Sequence, residues 1–146
     1  MDKKTCSIAD VAAMSGLSVR TVRTYLAMGL LEGEKVDGAW HFTPEQFSAF
    51  LAQDMVRQSV QAKAHGIVFD FLRQERRQEA AACTILDLPA DFGEDARLRE
   101  TLLPQINALG LACNYRYEVA RSTARLILQG PPQAVAILLS HISQEP

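Results

Sequence analysis

The stretch SIADVAAMSGLSVRTVRTYLAMG, Ser7 to Gly29, decides how the amino-terminal part of the chain folds. Ser7 is a good N-cap residue and Asp10 stands three positions later as a short-armed capping-box partner, so a helix starts here. Ile8, Val11, Ala12 and Met14 give that helix an apolar face, and Gly16 ends it in the turn Ser15-Gly16-Leu17. Ser18 then caps a second helix. In it Val19, Val22 and Leu26 fall at helical spacing, while Arg20, Thr21, Arg23 and Thr24 occupy the other face. Two short helices joined by a tight glycine turn make a helix-turn-helix.

Downstream, Gly29 suits a helix C-terminal cap, and Leu30-Leu31 leads into the segment from Glu32 to Phe42. Asp37-Gly38 is a type I′ hairpin signal, because both central residues of that turn need positive φ, so this segment reads as a wing. Thr43-Pro44-Glu45-Gln46 supplies an N-cap, a proline at the first helical position and a capping-box glutamine, opening a helix with Phe47, Phe50 and Leu51 inward. From Asp54 to about Gln78, Val56, Val60, Ala64, Ile67, Val68, Phe71 and Leu72 recur at spacings of three and four. They predict one long amphipathic helix, with Gly66 costing about 1 kcal/mol relative to alanine. Such a helix either dimerises or lies as a connector against its own carboxy-terminal part. Dimerisation is favoured because small helix-turn-helix proteins usually read paired half-sites.

The pattern then changes. Ala82 to Leu88 is a strand candidate. Glu94 to Leu109 is a helix with Leu98, Leu102, Ile106 and Leu109 on one face, and Pro104 is expected to kink it. Asp91, Glu94 and Asp95 are explained by capping that helix. Cys113, Tyr115, Tyr117 and Val119 alternate with polar residues, a strand that pairs with Thr123 to Gln129, and Gly130-Pro131-Pro132 starts a last helix. The fold class is therefore α+β, divided into a winged helix-turn-helix over 1–52, a connecting helix over 53–80 and a small β-α-β-β-α unit over 81–146. Such a small unit is marginal alone and leaves a sheet edge, both of which favour oligomerisation.

Composition narrows the function classes. The 146 residues include 48% hydrophobic and 22% charged residues, with 15 Lys/Arg against 17 Asp/Glu, which fits a folded globular chain. The head holds five Lys/Arg against six Asp/Glu, so DNA binding would have to come from where the cations stand rather than from their number. No apolar run approaches membrane-span length and the amino terminus lacks a signal peptide's apolar stretch, so the cytosol is the expected compartment and no membrane partner is expected. Cys6, Cys83 and Cys113 are far apart, without metal-ligand spacing, and His41, His65 and His141 add none. Reduced, mostly buried thiols and no metal are expected. No nucleophile elbow, phosphate loop, dinucleotide fingerprint or His-Glu metal motif is present, so neither catalytic residues nor a cofactor are assigned.

The head resembles the MerR family of bacterial transcriptional regulators. The resemblance runs from Ile8-Ala9-Asp10-Val11-Ala12 through Ser15-Gly16-Leu17-Ser18-Val19-Arg20-Thr21-Val22-Arg23 and Tyr25 to Gly29-Leu30-Leu31, ending with the wing and Phe42-Thr43-Pro44-Glu45-Gln46-Phe47. It implies a winged helix-turn-helix that binds double-stranded DNA as a homodimer, with the second helix in the major groove and the wing along the backbone. The residue chemistry agrees. Arg20 and Arg23 share one helix face and suit base edges or phosphates, Ser18, Thr21 and Thr24 offer hydroxyls, and the Tyr25 hydroxyl suits a phosphate or else packs inward. The chain departs from the family at Thr24 and Leu26, and Gly38-Ala39-Trp40-His41-Phe42 replaces a Gly-Tyr-Arg wing. Lys35 and His41 are the cations left there, and Trp40 either lies on the backbone or packs on the head.

Beyond the head, Tyr115, Arg116, Tyr117 and Arg125 are candidates for an anionic or aromatic effector site. Against this stands the plainer expectation that the tyrosines pack the core and the arginines are solvated. The leading expectation is a dimeric, sequence-specific regulator whose carboxy-terminal part senses a small molecule or completes the dimer. The alternative is a protein-interaction adaptor, like the small chaperone-modulating proteins with a MerR-like head, that does not bind DNA.

Overall fold

The computed structural model describes residues 5–144; residues 1–4 and 145–146, including most of the amino-terminal stretch searched for a signal, lie outside it. Helix α1 (Ile8–Ser15) begins on the expected capping box: the Ser7 hydroxyl accepts the Asp10 amide at 3.1 Å and the Asp10 carboxylate accepts the Ser7 amide at 3.0 Å. Satisfying such first-turn donors is worth about 1 kcal/mol. Gly16 closes α1 at φ 77°. A side chain is disfavoured there twice over, since a Cβ would also sit 2.9 Å from Asn114 Nδ2 and 3.3 Å from the Tyr115 carbonyl oxygen. The turn of the helix-turn-helix is thus seated directly on a later strand.

Helix α2 (Val19–Ala27) is capped by Ser18, which accepts the Thr21 amide, and it ends in a Schellman motif around Gly29. There the Gly29 amide bonds the Leu26 carbonyl at 3.1 Å and the Leu30 amide bonds the Tyr25 carbonyl at 3.0 Å. Strands β1 (Glu34–Val36) and β2 (Ala39–His41) form the wing, with Asp37 and Gly38 at φ 53° and 82° as a type I′ turn requires. Cys6 extends this ribbon, exchanging backbone bonds of 2.8 and 2.9 Å with Phe42. Helix α3 (Pro44–Ala52) carries the Thr43/Gln46 capping box, and the Gln53 side chain donates to the Leu30 carbonyl.

Helix α4 (Asp54–Arg73) stops short of Gln78. Beyond it Arg77 folds back, placing its guanidinium 4.0 Å from the Phe71 ring centroid and donating to the Phe71 carbonyl and to Gln74 Oε1. One arginine satisfies helix-end acceptors and covers a ring, so the chain turns off the helix axis there.

Strands β3 (Ala82–Pro89), β4 (Ala112–Glu118) and β5 (Thr123–Gly130) form one antiparallel sheet in the order β3-β5-β4, joined by helix α5 (Phe92–Ala108) and followed by helix α6 (Pro132–Gln144). Register levels Leu86, Leu126 and Tyr115, and likewise Leu88, Ala124 and Tyr117, across one face, the face that meets α5 and α6. On the opposite face Ile127 is buried against the first half of α4, whose Val56, Val60 and Ala64 point inward. Helix α5 runs on through Pro104 to Ala108; the proline forfeits one backbone bond on an exposed side.

Helix α1 packs on the outer strand β4, so one connected set of buried side chains runs from Val11 and Met14 through Phe47 and Val56 to Tyr117 and Leu138. Beyond Ala64 the cover thins, with Ile67, Val68 and Phe71 half-buried. Phe69 and Leu72 on α4 are 63% and 70% exposed, and Ile85 on the free edge strand β3 is 58% exposed.

Candidate nucleic-acid interface

Helix α2 presents two faces. Val22 and Tyr25 go inward, while Ser18, Arg20, Arg23, Thr24 and Ala27 are exposed. Arg20, Arg23, Thr24 and Ala27 follow the spacing of one helical stripe, which puts both guanidiniums on the same outward surface. Among the described residues no carboxylate pairs with either arginine. The hydroxyls are partly committed to the helix itself. Ser18 caps it and donates to Thr21 Oγ1 at 2.9 Å, and Thr24 Oγ1 donates to the Arg20 carbonyl at 3.1 Å.

The wing brings three of the expected residues together. Lys35 pairs across the ribbon with Trp40 and holds its ammonium 5.9 Å from the Trp40 ring centroid, while Trp40 stacks on the buried Phe42 ring at 6.2 Å. Lys35, Trp40 and Arg23 line one cleft of about 360 Å³, closed on its third side by Ser7, Ile8 and Ala9 at the start of α1. Two cations and the positive end of a helix therefore face the same space, an arrangement that suits a phosphate.

A sequence model for the MerR HTH family regulatory protein matches residues 6–51. The head is a MerR-type helix-turn-helix. No curated protein and no solved structure matches the chain. The MerR-type match ends with α3, so α4 and the sheet lie outside it.

Two residues expected at the interface of this MerR-type head are placed elsewhere. Tyr25 is buried, its ring set edge-on to Phe50 at 6.0 Å and its hydroxyl 2.7 Å from Ser59 Oγ on α4. It fastens α2 to the helices behind it and offers no hydroxyl outward. His41 follows Trp40 on a strand, so period-two alternation turns it to the other side of the wing, where its Nδ1 lies 3.4 Å from Thr5 Oγ1.

The same alternation divides the expected effector residues. Tyr115 and Tyr117 face α5 and are both buried; Tyr115 donates to Asp95, and Tyr117 donates to the Ala90 carbonyl at 2.9 Å. Burial and the neighbouring Asp95 carboxylate push the Tyr115 hydroxyl far up, and burial pushes Tyr117 to about 12. Arg116 and Arg125 lie cross-strand from one another on the opposite face, paired with Glu118 and Asp87. The four residues do not form one site: successive residues of a strand point to opposite sides of the sheet.

A head-to-tail ionic junction carries no local sequence signal. Arg99, 13% exposed at its side chain, donates to Asp95 on its own helix at 3.0 Å and to Asp10 on α1 at 3.1 Å. Asp95 is 1% exposed and is bonded by Arg99 and Tyr115, a different role from capping, which Asp91 and Glu94 perform. Burial raises the Asp95 carboxyl pKa beyond what Tyr115 and Arg99 offset. At Asp10 burial also pushes upward, but the Ser7 amide and Arg99 outweigh it and hold that carboxyl below its usual range. The three cysteines are free; burial pushes Cys6 to about 12 and Cys113 to about 11, which keeps both as thiols. Among the described residues no helix is long and apolar enough to cross a membrane.

Proposed function

We propose that the chain is a dimeric, sequence-specific DNA-binding regulator of MerR type, without catalytic activity and acting in the cytoplasm. Residues 1–52 read DNA, 53–80 connect, and 81–146 sense a small molecule or complete the dimer. The observation that carries this is that Arg20 and Arg23, with no carboxylate partner among the described residues, lie on the exposed stripe of a MerR-type second helix. In a major groove those guanidiniums suit guanine edges or phosphates, with Ser18, Thr21 and Thr24 beside them, and Lys35 with Trp40 extends the contact along the backbone. The second copy is supplied through the uncovered apolar side chains Phe69, Leu72 and Ile85. Two heads then meet two half-sites of an inverted repeat.

One observation favours an adaptor instead. Glu32, Glu34 and Asp37 are all exposed on the wing around Lys35, a surface that repels phosphates. Mobility-shift titration with DNA flanking the protein's own gene, run at low salt beside a nuclease-treated pull-down, separates the two. Regulator behaviour is a shifted complex abolished by Arg20→Ala with Arg23→Ala and weakened by salt. No shift at low salt, together with a stoichiometric protein partner, makes the chain an adaptor.

A further inference from the structure

Where α3 and α4 meet the β4–β5 hairpin lies a second cleft, of about 270 Å³, to which α2 contributes no lining residue. Its apolar lining comes from Leu51, Val60 and Val119, and its polar lining includes Arg57, Arg116 and Arg121 with Glu118 as the one carboxylate among the residues that shape it. Arg116 is side-chain buried to 17% exposure and locked onto one oxygen of Glu118, while Arg121 Nη1 stands 3.4 Å from the other. Arg57 is 2.7 Å from Asp54, whose carboxylate is 81% exposed and does not line the cleft. Arg116 and Arg121 thus share one carboxylate while Arg57 holds the exposed Asp54, leaving one net positive charge beside an apolar floor. At about 270 Å³ the cleft lies just below the usual range of small-molecule pockets, enough for a short organic acid.

We propose that this cleft binds a small organic carboxylate, its apolar part on Leu51, Val60 and Val119 and its carboxylate on Arg57 and Arg121, with Arg116 held in place by Glu118. A charge-assisted bond from arginine supplies the specificity, and the floor selects for hydrocarbon. The occupant touches the last helix of the head and the hairpin of the sheet at once, so its binding bears on how the two parts are held. It deepens the sensing role proposed above.

Calorimetric titration of the intact chain, without DNA, tests it with acetate, butyrate, hexanoate, hexan-1-ol and inorganic phosphate. Affinity is expected to rise about two- to fourfold per methylene from acetate to hexanoate. Hexan-1-ol should bind at least about tenfold more weakly than hexanoate, and phosphate no better than acetate. Arg121→Gln, at an exposed position that leaves the fold intact, should weaken hexanoate about tenfold, and Arg57→Gln less. Arg125→Gln, outside the lining, should leave it unchanged. The proposal is overturned by phosphate matching hexanoate, by hexan-1-ol matching hexanoate, by indifference to Arg57→Gln and Arg121→Gln, or by no hexanoate binding at tens of millimolar. Because no DNA is present, that failure leaves the DNA-reading proposal standing, and loss of DNA binding leaves the cleft standing.

Discussion

Two arginines of the head and three of the sheet region are the same residue put to opposite uses, while Arg97 on α5 is exposed and unpaired among the described residues. Among the described residues Arg20 and Arg23 stand exposed on α2 with no carboxylate partner, whereas Arg99, Arg116 and Arg125 are each paired with an aspartate or glutamate. Charge totals conceal this difference, since the head is no more basic than the rest. Partner geometry reveals it: a guanidinium already neutralised in the fold has little left for a phosphate, and an unpaired one retains its full field.

The strongest way to break the contrast is Arg99→Ala. It strands Asp95, 1% exposed, with only Tyr115 of the two side chains bonded to it, and cuts the link to Asp10. Removing one partner of a buried pair costs about 3–5 kcal/mol. Chemical denaturation should show it, with a melting temperature lower by about 10 °C. Arg20→Ala with Arg23→Ala should do the reverse. DNA affinity falls at least about a hundredfold, from about 1–3 kcal/mol per contact, while stability stays within about 0.5 kcal/mol.

Tyr25→Phe sharpens the assignment of that ring to packing. The edge contact with Phe50 survives and only the bond to Ser59 is lost, so stability should drop by about 1 kcal/mol with DNA affinity unchanged. If instead affinity falls and stability does not, the hydroxyl reaches a phosphate. The smallest effect belongs to Arg125→Gln. Its pair with Asp87 is 36% and 40% exposed, and the change in stability should stay under about 1 kcal/mol.

Acidity supplies a further contrast. The raised pKa of Asp95 means that, above the ordinary value of 3.8 and up to its folded value, the fold holds a proton that the unfolded chain has released. Stability therefore falls as pH rises through that window, and Asp95→Asn should remove this component of the slope. Asp10 and Asp87 are lowered, so they stabilise above 3.8 and lose that contribution as pH falls through their folded values.

Most local structure was legible because it is encoded within four residues. The Ser7/Asp10 and Thr43/Gln46 boxes, the Ser18 cap, the Gly16 turn and the Asp37-Gly38 hairpin each carry their own signal. What was not legible depends on distant residues. Asp10 and Arg99 meet across 89 positions of sequence, and Tyr25 meets Ser59 only once α4 is in place. The end of α4 was misplaced because Arg77 looks like one more helical residue until it folds back on Phe71. The four-residue effector candidate overlooked a rule that the alternating strand already stated: Tyr115 and Arg116 cannot face the same side.

The central claim is that an unpaired arginine stripe on a MerR-type head reads DNA sequence as a dimer. Selection of bound duplexes from a random-sequence pool at low salt, with wild type beside the Arg20→Ala, Arg23→Ala variant, tests it most directly. The account predicts enrichment of one inverted repeat by wild type, none by the variant, and a binding constant that falls with salt at a shallow slope of about 0.9 per phosphate contacted. Retention of no preferred sequence by wild type, or of the same sequence by the variant, would contradict it.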